Sequence, residues 1–216
     1  MAQVKKSAVR DAILSAAYRL FRDRGYNGTT LSQIAQAAGI STANVYSYFD
    51  SKFDILYSIY DPWLSERFRA LEDDLRSIRD PRKRLQHLVT VLWREIPAAA
   101  NGFSNNIIQA VSGTGPEGEY DPSLLRRVEA LTGRLLREML PPERLAVVDV
   151  ETLAHVMFMA FDGFAVSAHA NPKACCGEDE IDLFCRLVLG EKGKSSRPAK
   201  RATHRSKNGR AAHSTA

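Results

Sequence analysis

The sequence predicts an all-α fold, with an N-terminal three-helix helix-turn-helix head and a larger C-terminal helical body, on the strength of three observations. Apolar residues recur at three- and four-residue spacing, first in Val9, Ile13, Ala16, Ala17, Leu20 and Phe21, which is the period of a helix with one buried face. Helix-capping side chains punctuate that pattern along the chain. No segment alternates polar and apolar residues as a half-buried strand would.

The first helix is expected over residues 7–24, ended by Gly25-Tyr26-Asn27-Gly28. Three cap signals follow, Thr30 with Gln33, Ser41 with Asn44 and Ser51 with Asp54, each a hydroxyl followed three positions later by a side chain able to reach back. Between the first two, Ile34, Ala35 and Ala38 form a small apolar face, and Gly39 suits the left-handed position that stops a helix. Small residues at 35, 38 and 39 let two helices cross closely, as a helix-turn-helix requires. In the second helix of that unit Thr42, Ala43, Asn44, Tyr46, Ser47 and Tyr48 cannot all face a core. Short polar and aromatic groups of this kind suit base edges, thymine methyls and phosphates.

Phe21, Gly25-Tyr26, Thr30, Ile34-Ala35, Ala38-Gly39, Tyr46, Phe49, Ser51-Lys52 and Leu56 resemble the TetR family of bacterial transcriptional regulators. The resemblance implies a homodimer paired through its last two helices, a reading head on double-stranded DNA at a pseudo-palindromic operator, and a body that binds a small-molecule effector. It puts DNA contacts on Thr30, Ser32, Gln33, Thr42, Ala43, Asn44, Tyr46, Ser47, Tyr48 and Lys52. Phe53 departs from the pattern, because the family usually has an acidic residue there.

Charge divides the chain into the same parts. Residues 1–53, the helix-turn-helix domain, hold 7 basic and 3 acidic residues. Residues 54–190, the ligand-binding and dimerisation domain, hold 15 and 21, and residues 191–216, a basic tail expected to be disordered, hold 8 and 1. A basic head on an acidic body orients a protein on a polyanion and predicts steep salt dependence. Arg10, Asp11, Arg19 and Arg22 break the first apolar stretch, so neither a signal peptide nor a membrane span is expected. Three cysteines make no disulfide framework. A cytoplasmic protein with no membrane partner fits.

Body helices are expected near 51–60, 62–78, 81–96, 98–112, 122–140, 142–170 and 178–189, the sixth interrupted around Asp149. Asp-Pro pairs at 61–62, 80–81 and 121–122 mark starts. Pro62 is expected to kink a long fourth helix or split it at Asp61, and a kink would bias the pivot between head and body. Residues 153–168 are apolar nearly all round, so this helix needs cover on every side. Residues 150–170 and 178–189 are the expected dimer interface. Trp93, Phe103, Asn106, Gln109, His155, Phe158 and Asp162 are the candidate effector contacts, apolar walls with a few orienting polar groups.

The glycine spacing of Gly113, Gly115 and Gly118 mimics a dinucleotide fingerprint but lacks a preceding strand and contains Pro116, so a loop is expected. His169, Cys175, Cys176 and Asp179 match no zinc pattern. No catalytic residues, cofactor or metal are expected. The expected function is a sequence-specific transcriptional regulator, a repressor released by a small apolar effector; a transcriptional activator or an effector-independent DNA binder is the alternative.

Overall fold

The computed structural model describes residues 2–113, 123–171 and 176–191, with side chains described from Lys6 onward. Helix α1 (Ala2–Arg24) ends where Gly25 turns left-handed at φ 73°. Helices α2 (Leu31–Ala37) and α3 (Thr42–Val45) follow, then α4 (Lys52–Ser77), α5 (Pro81–Thr90), a π-helical turn (Val91–Glu95), α6 (Phe103–Ser112), α7 (Ser123–Met139), α8 (Pro142–Leu145), α9 (Val150–Ala170) and α10 (Glu178–Leu189). No strand occurs among the described residues.

The cap chemistry sets the head's boundaries. Thr30 accepts from the Gln33 amide while Gln33 Oε1 accepts from the Thr30 amide at 2.9 Å, a complete capping box. Ser41 caps α3 through the Asn44 amide at 3.2 Å, and Ser51 caps α4 through the Asp54 amide at 3.0 Å. Gly39, at φ 71°, takes the left-handed turn that lets α3 cross α2. Ile13, Ala17 and Phe21 of α1 close on Ile34, Ala35, Val45 and Phe49 as the head's core. Beyond Val45 the third helix gives way to turns, with Tyr48 and Phe49 amides still bonded to the Val45 carbonyl.

Pro62 does not split the fourth helix: α4 runs unbroken from Lys52 to Ser77 and crosses from head to body. Proline removes one helical hydrogen bond and typically costs about 3 kcal/mol in a helix interior. The buried stripe of Leu56, Tyr60, Leu64, Phe68, Leu71 and Leu75 spans both sides of it, and that burial outweighs the local loss. Asp61 is therefore no cap; it pairs with Arg127 of α7. Asp80 and Asp149 do cap their helices. The expected helix over 98–112 begins only at Phe103, after a left-handed Gly102, and the interruption near Asp149 separates α8 from α9.

In the body, α9 packs along α7 and α6 and against the π turn, while α10 packs on α5. By length and composition α9 is apolar enough to cross a membrane, contrary to the expectation of no such segment, although core helices share that composition. Its inner side buries Ala154, Met157, Phe158, Phe161 and Ala165, and its outer side exposes Val156, Met159 and Val166.

Candidate functional site

The outer surface of the head carries the residues the sequence singles out. Ser32, Ala43, Asn44, Tyr46 and Ser47 are exposed, Thr42 and Tyr48 half-buried. Tyr46 is 56% exposed although its neighbour Val45 is fully buried and Phe49 nearly so. An aromatic ring held in water beside a completed core is available for a partner. Thr30 and Gln33 are engaged with each other in the capping box, so their side chains serve α2 first.

Lys52 differs from expectation. Its Nζ donates to the Tyr26 carbonyl at 2.8 Å and the Thr29 carbonyl at 2.9 Å, and lies 4.0 Å from the Tyr26 ring centroid. Burial lowers its pKa from the ordinary lysine value. The ammonium pins the α1–α2 loop to the start of α4, with two of its three N–H donors engaged by those carbonyls. A lysine at a helix N-terminus reads from sequence as a surface cation, because the two carbonyls that hold it come from 23 and 26 residues away.

An apolar cavity of about 590 Å³ lies in the body. It is walled by Leu64 and Phe68 of α4, Phe103, Ile107 and Ile108 of α6, Leu124, Leu125 and Val128 of α7, and Phe158 and Phe161 of α9, with Asp162 and Ser112 its polar lining groups. Phe103, Phe158 and Asp162 reach this cavity as candidate contacts should; Trp93, Asn106, Gln109 and His155 do not line it. Trp93 is core: its Nε1 donates to the Met157 carbonyl at 2.9 Å and its ring meets Phe164 and Phe184. His155 is exposed and pairs with Glu129 at 2.7 Å. Asn106 is fully buried, its Nδ2 donating to the carbonyls of Phe21 and Gly102 and to the Tyr60 hydroxyl. Gln109 Oε1 accepts from the Asn27 amide at 2.9 Å.

Asn106 and Gln109 thus fasten α6 to the end of α1, while Ile107, Ile108 and Val111 of the same helix wall the cavity. Gly25 belongs to this seam, since a Cβ there would meet the Gln109 side chain at 2.9 Å. Tyr60 joins it from α4, donating to the Asn101 carbonyl at 2.7 Å, with burial pushing its pKa up to about 12. Phe53, the residue that departs from the family pattern, also lines the cavity, one position after the lysine that holds the head's loop. An apolar residue at 53 was the available signal for that wall.

Among the described residues no group of His, Cys, Asp or Glu could hold a metal. Cys175 and the glycine-spaced residues 114–118 lie outside the described residues, as does the basic tail from Lys192 on and the cap expected at Asp121-Pro122.

Residues 13–59 match the family model for bacterial regulatory proteins of the tetR family. The repressor KstR2 of Rhodococcus jostii RHA1 is 36% identical over 94 residues, 44% of this chain and 46% of that protein. The regulator RutR of Escherichia coli K12 is 36% identical over 101 residues, 45% and 47% of the two chains. The chain thus matches somewhat less than half the length of these relatives. Across most of its length it is similar in structure to the TetR family regulator PfmR of Thermus thermophilus, at 26% identity and a TM-score of 0.57, covering 86% of this chain and 97% of that one. The fold alone is shared with FadR of Bacillus subtilis, solved in complex with stearoyl-CoA, at 17% identity and a TM-score of 0.56, covering 83% and 95%. Residues 13–59 thus carry the helix-turn-helix segment of the tetR family of bacterial regulatory proteins, on a chain whose all-helical structure is similar to that of a TetR family regulator.

Proposed function

We propose that the chain is a sequence-specific transcriptional repressor, released from a pseudo-palindromic operator by a small apolar effector that enters the body cavity. The observation that carries this reading is the double duty of α6, which walls the cavity with one face and is hydrogen-bonded to the head through Asn106 and Gln109 with another. A molecule that displaces α6 moves the seat of α1. Such a molecule shifts the equilibrium only by its differential affinity for the DNA-competent and incompetent arrangements.

The exposed apolar residues Val156, Met159 and Val166 of α9 with Leu183 and Leu187 of α10 support pairing of two copies through these helices. Pairing places two α3 helices in successive major grooves. The apolar lining suits an acyl or aromatic effector body. A regulator of this kind works in the cytoplasm, and no catalytic role is assigned to it. Lys52, Thr30 and Gln33 position the reading surface, and Asn44, Tyr46 and Ser47 meet the DNA.

Fluorescence anisotropy on DNA from upstream of the protein's own gene tests this. Tyr46→Ala should weaken binding about 10- to 100-fold while leaving the fold intact, because the ring is exposed. Gln109→Ala should leave affinity near wild type and blunt release by any compound that dissociates the wild-type complex. Equal binding of wild type and Tyr46→Ala, or an undiminished effector response in Gln109→Ala, would overturn the respective assignment.

A further inference from the structure

The charge of the cavity lining narrows what can enter it. Asp162 is the one ionisable group among the described lining residues, and the rest of the wall is hydrocarbon and aromatic apart from Ser112. Three cations on the neighbouring helices pair elsewhere, Arg127 with Asp61, Arg134 with Glu72 and His155 with Glu129, and Arg126 of α7 is exposed and does not line the cavity. The Asp162 carboxylate stands on α9 at the rim of the cavity, where its outer side meets solvent. Its apolar surroundings push its pKa above the usual aspartate value. A cation brought to this carboxylate is attracted by it, whereas an anion at the same rim is repelled.

We propose that the effector is an apolar molecule bearing one cationic group, an amine or quaternary ammonium, with Asp162 as its counter-ion and the Phe103, Phe158 and Phe161 wall holding its body. The inference rests on the reading of this cavity as the effector site. A ligand ending in a carboxylate or phosphate would meet no compensating cation among the described lining residues, and it would be repelled by Asp162. Faces of aromatic rings add attraction for an ammonium group that they would not offer an anion.

Isothermal titration of the full-length protein with three chain-matched probes tests this: decyltrimethylammonium, 1-decanol and decanoate, each below its micellar concentration. The expected order of affinity is ammonium, then alcohol, then decanoate. In Asp162→Asn the ammonium should weaken about tenfold, decanoate should gain, and the alcohol should stay within about twofold. Binding of decanoate as tight as that of the ammonium overturns the charge assignment, as does an order unchanged in Asp162→Asn; in both cases the cavity survives as a binding site through its affinity for the alcohol. Failure of all three probes to bind overturns the effector-site reading itself, and the charge assignment with it.

Discussion

Head and body use their polar side chains in opposite ways. In the head, the cap hydroxyls of Thr30, Ser41 and Ser51 close local hydrogen bonds three residues away, which leaves Asn44, Tyr46 and Ser47 at the surface with no structural duty. In the body, Asn106, Gln109 and Trp93 each make a hydrogen bond to a residue 64 to 85 positions distant. An exposed polar residue on a locally capped helix is thus a fair candidate for a partner. A polar residue on an apolar body helix is first a candidate for tertiary bonding, because a buried donor or acceptor must be satisfied.

Breaking the body should therefore cost more than breaking the head. Leu88, fully buried on α5, should lose about 2–5 kcal/mol of stability as Leu88→Ala, seen in urea or thermal unfolding. A loss under about 1 kcal/mol would mean that the body core is looser than its burial implies.

The seam between the two regions should respond to alkali. Tyr60 ionises near pH 10 when unfolded but holds its proton to about 12 in the fold, so the folded state binds the extra proton between those values. Its contribution is present in full below pH 10 and is lost as pH rises from 10 through 12, amounting to about 2–3 kcal/mol. Tyr60→Phe should flatten the fall in stability over that window, and an unchanged slope would assign the fall to other groups.

The smallest effect belongs to a single head cap. Thr30→Ala removes half of a reciprocal box and should cost about 1 kcal/mol, or a fall of about 2–4 °C in Tm. A loss as large as that for Leu88→Ala would show that the head, too, depends on distant contacts at this point.

The fold was legible wherever a boundary rests on neighbours in sequence. The ends of α2 and α10, the start of α3, the caps at Ser51 and Asp80 and the break near Asp149 stand where the residues place them, whereas α3 stops at Val45, short of Tyr46 to Tyr48. Pro62 misled because its cost is local, while the stripe from Leu56 to Leu75 that overrides it takes its value from the elements packed against it. Phe103, Phe158 and Asp162 reach the cavity, but Trp93 and Phe158 look alike in sequence, and only the position of Met157 opposite the Trp93 indole separates a core ring from a cavity wall.

The helical class, the helix-turn-helix with its caps and left-handed Gly39, and the uneven charge between head and body follow from residue types and spacings within a few turns. Packing between distant helices sets the turn of Lys52 toward two carbonyls, the sharing of α6 between the head and the cavity, and the place of Asp162 as the cavity's one charge among the described residues. Those facts depend on which distant groups meet across packed helices, and hydrogen bonding and desolvation act on that proximity, which spacing along the chain does not encode.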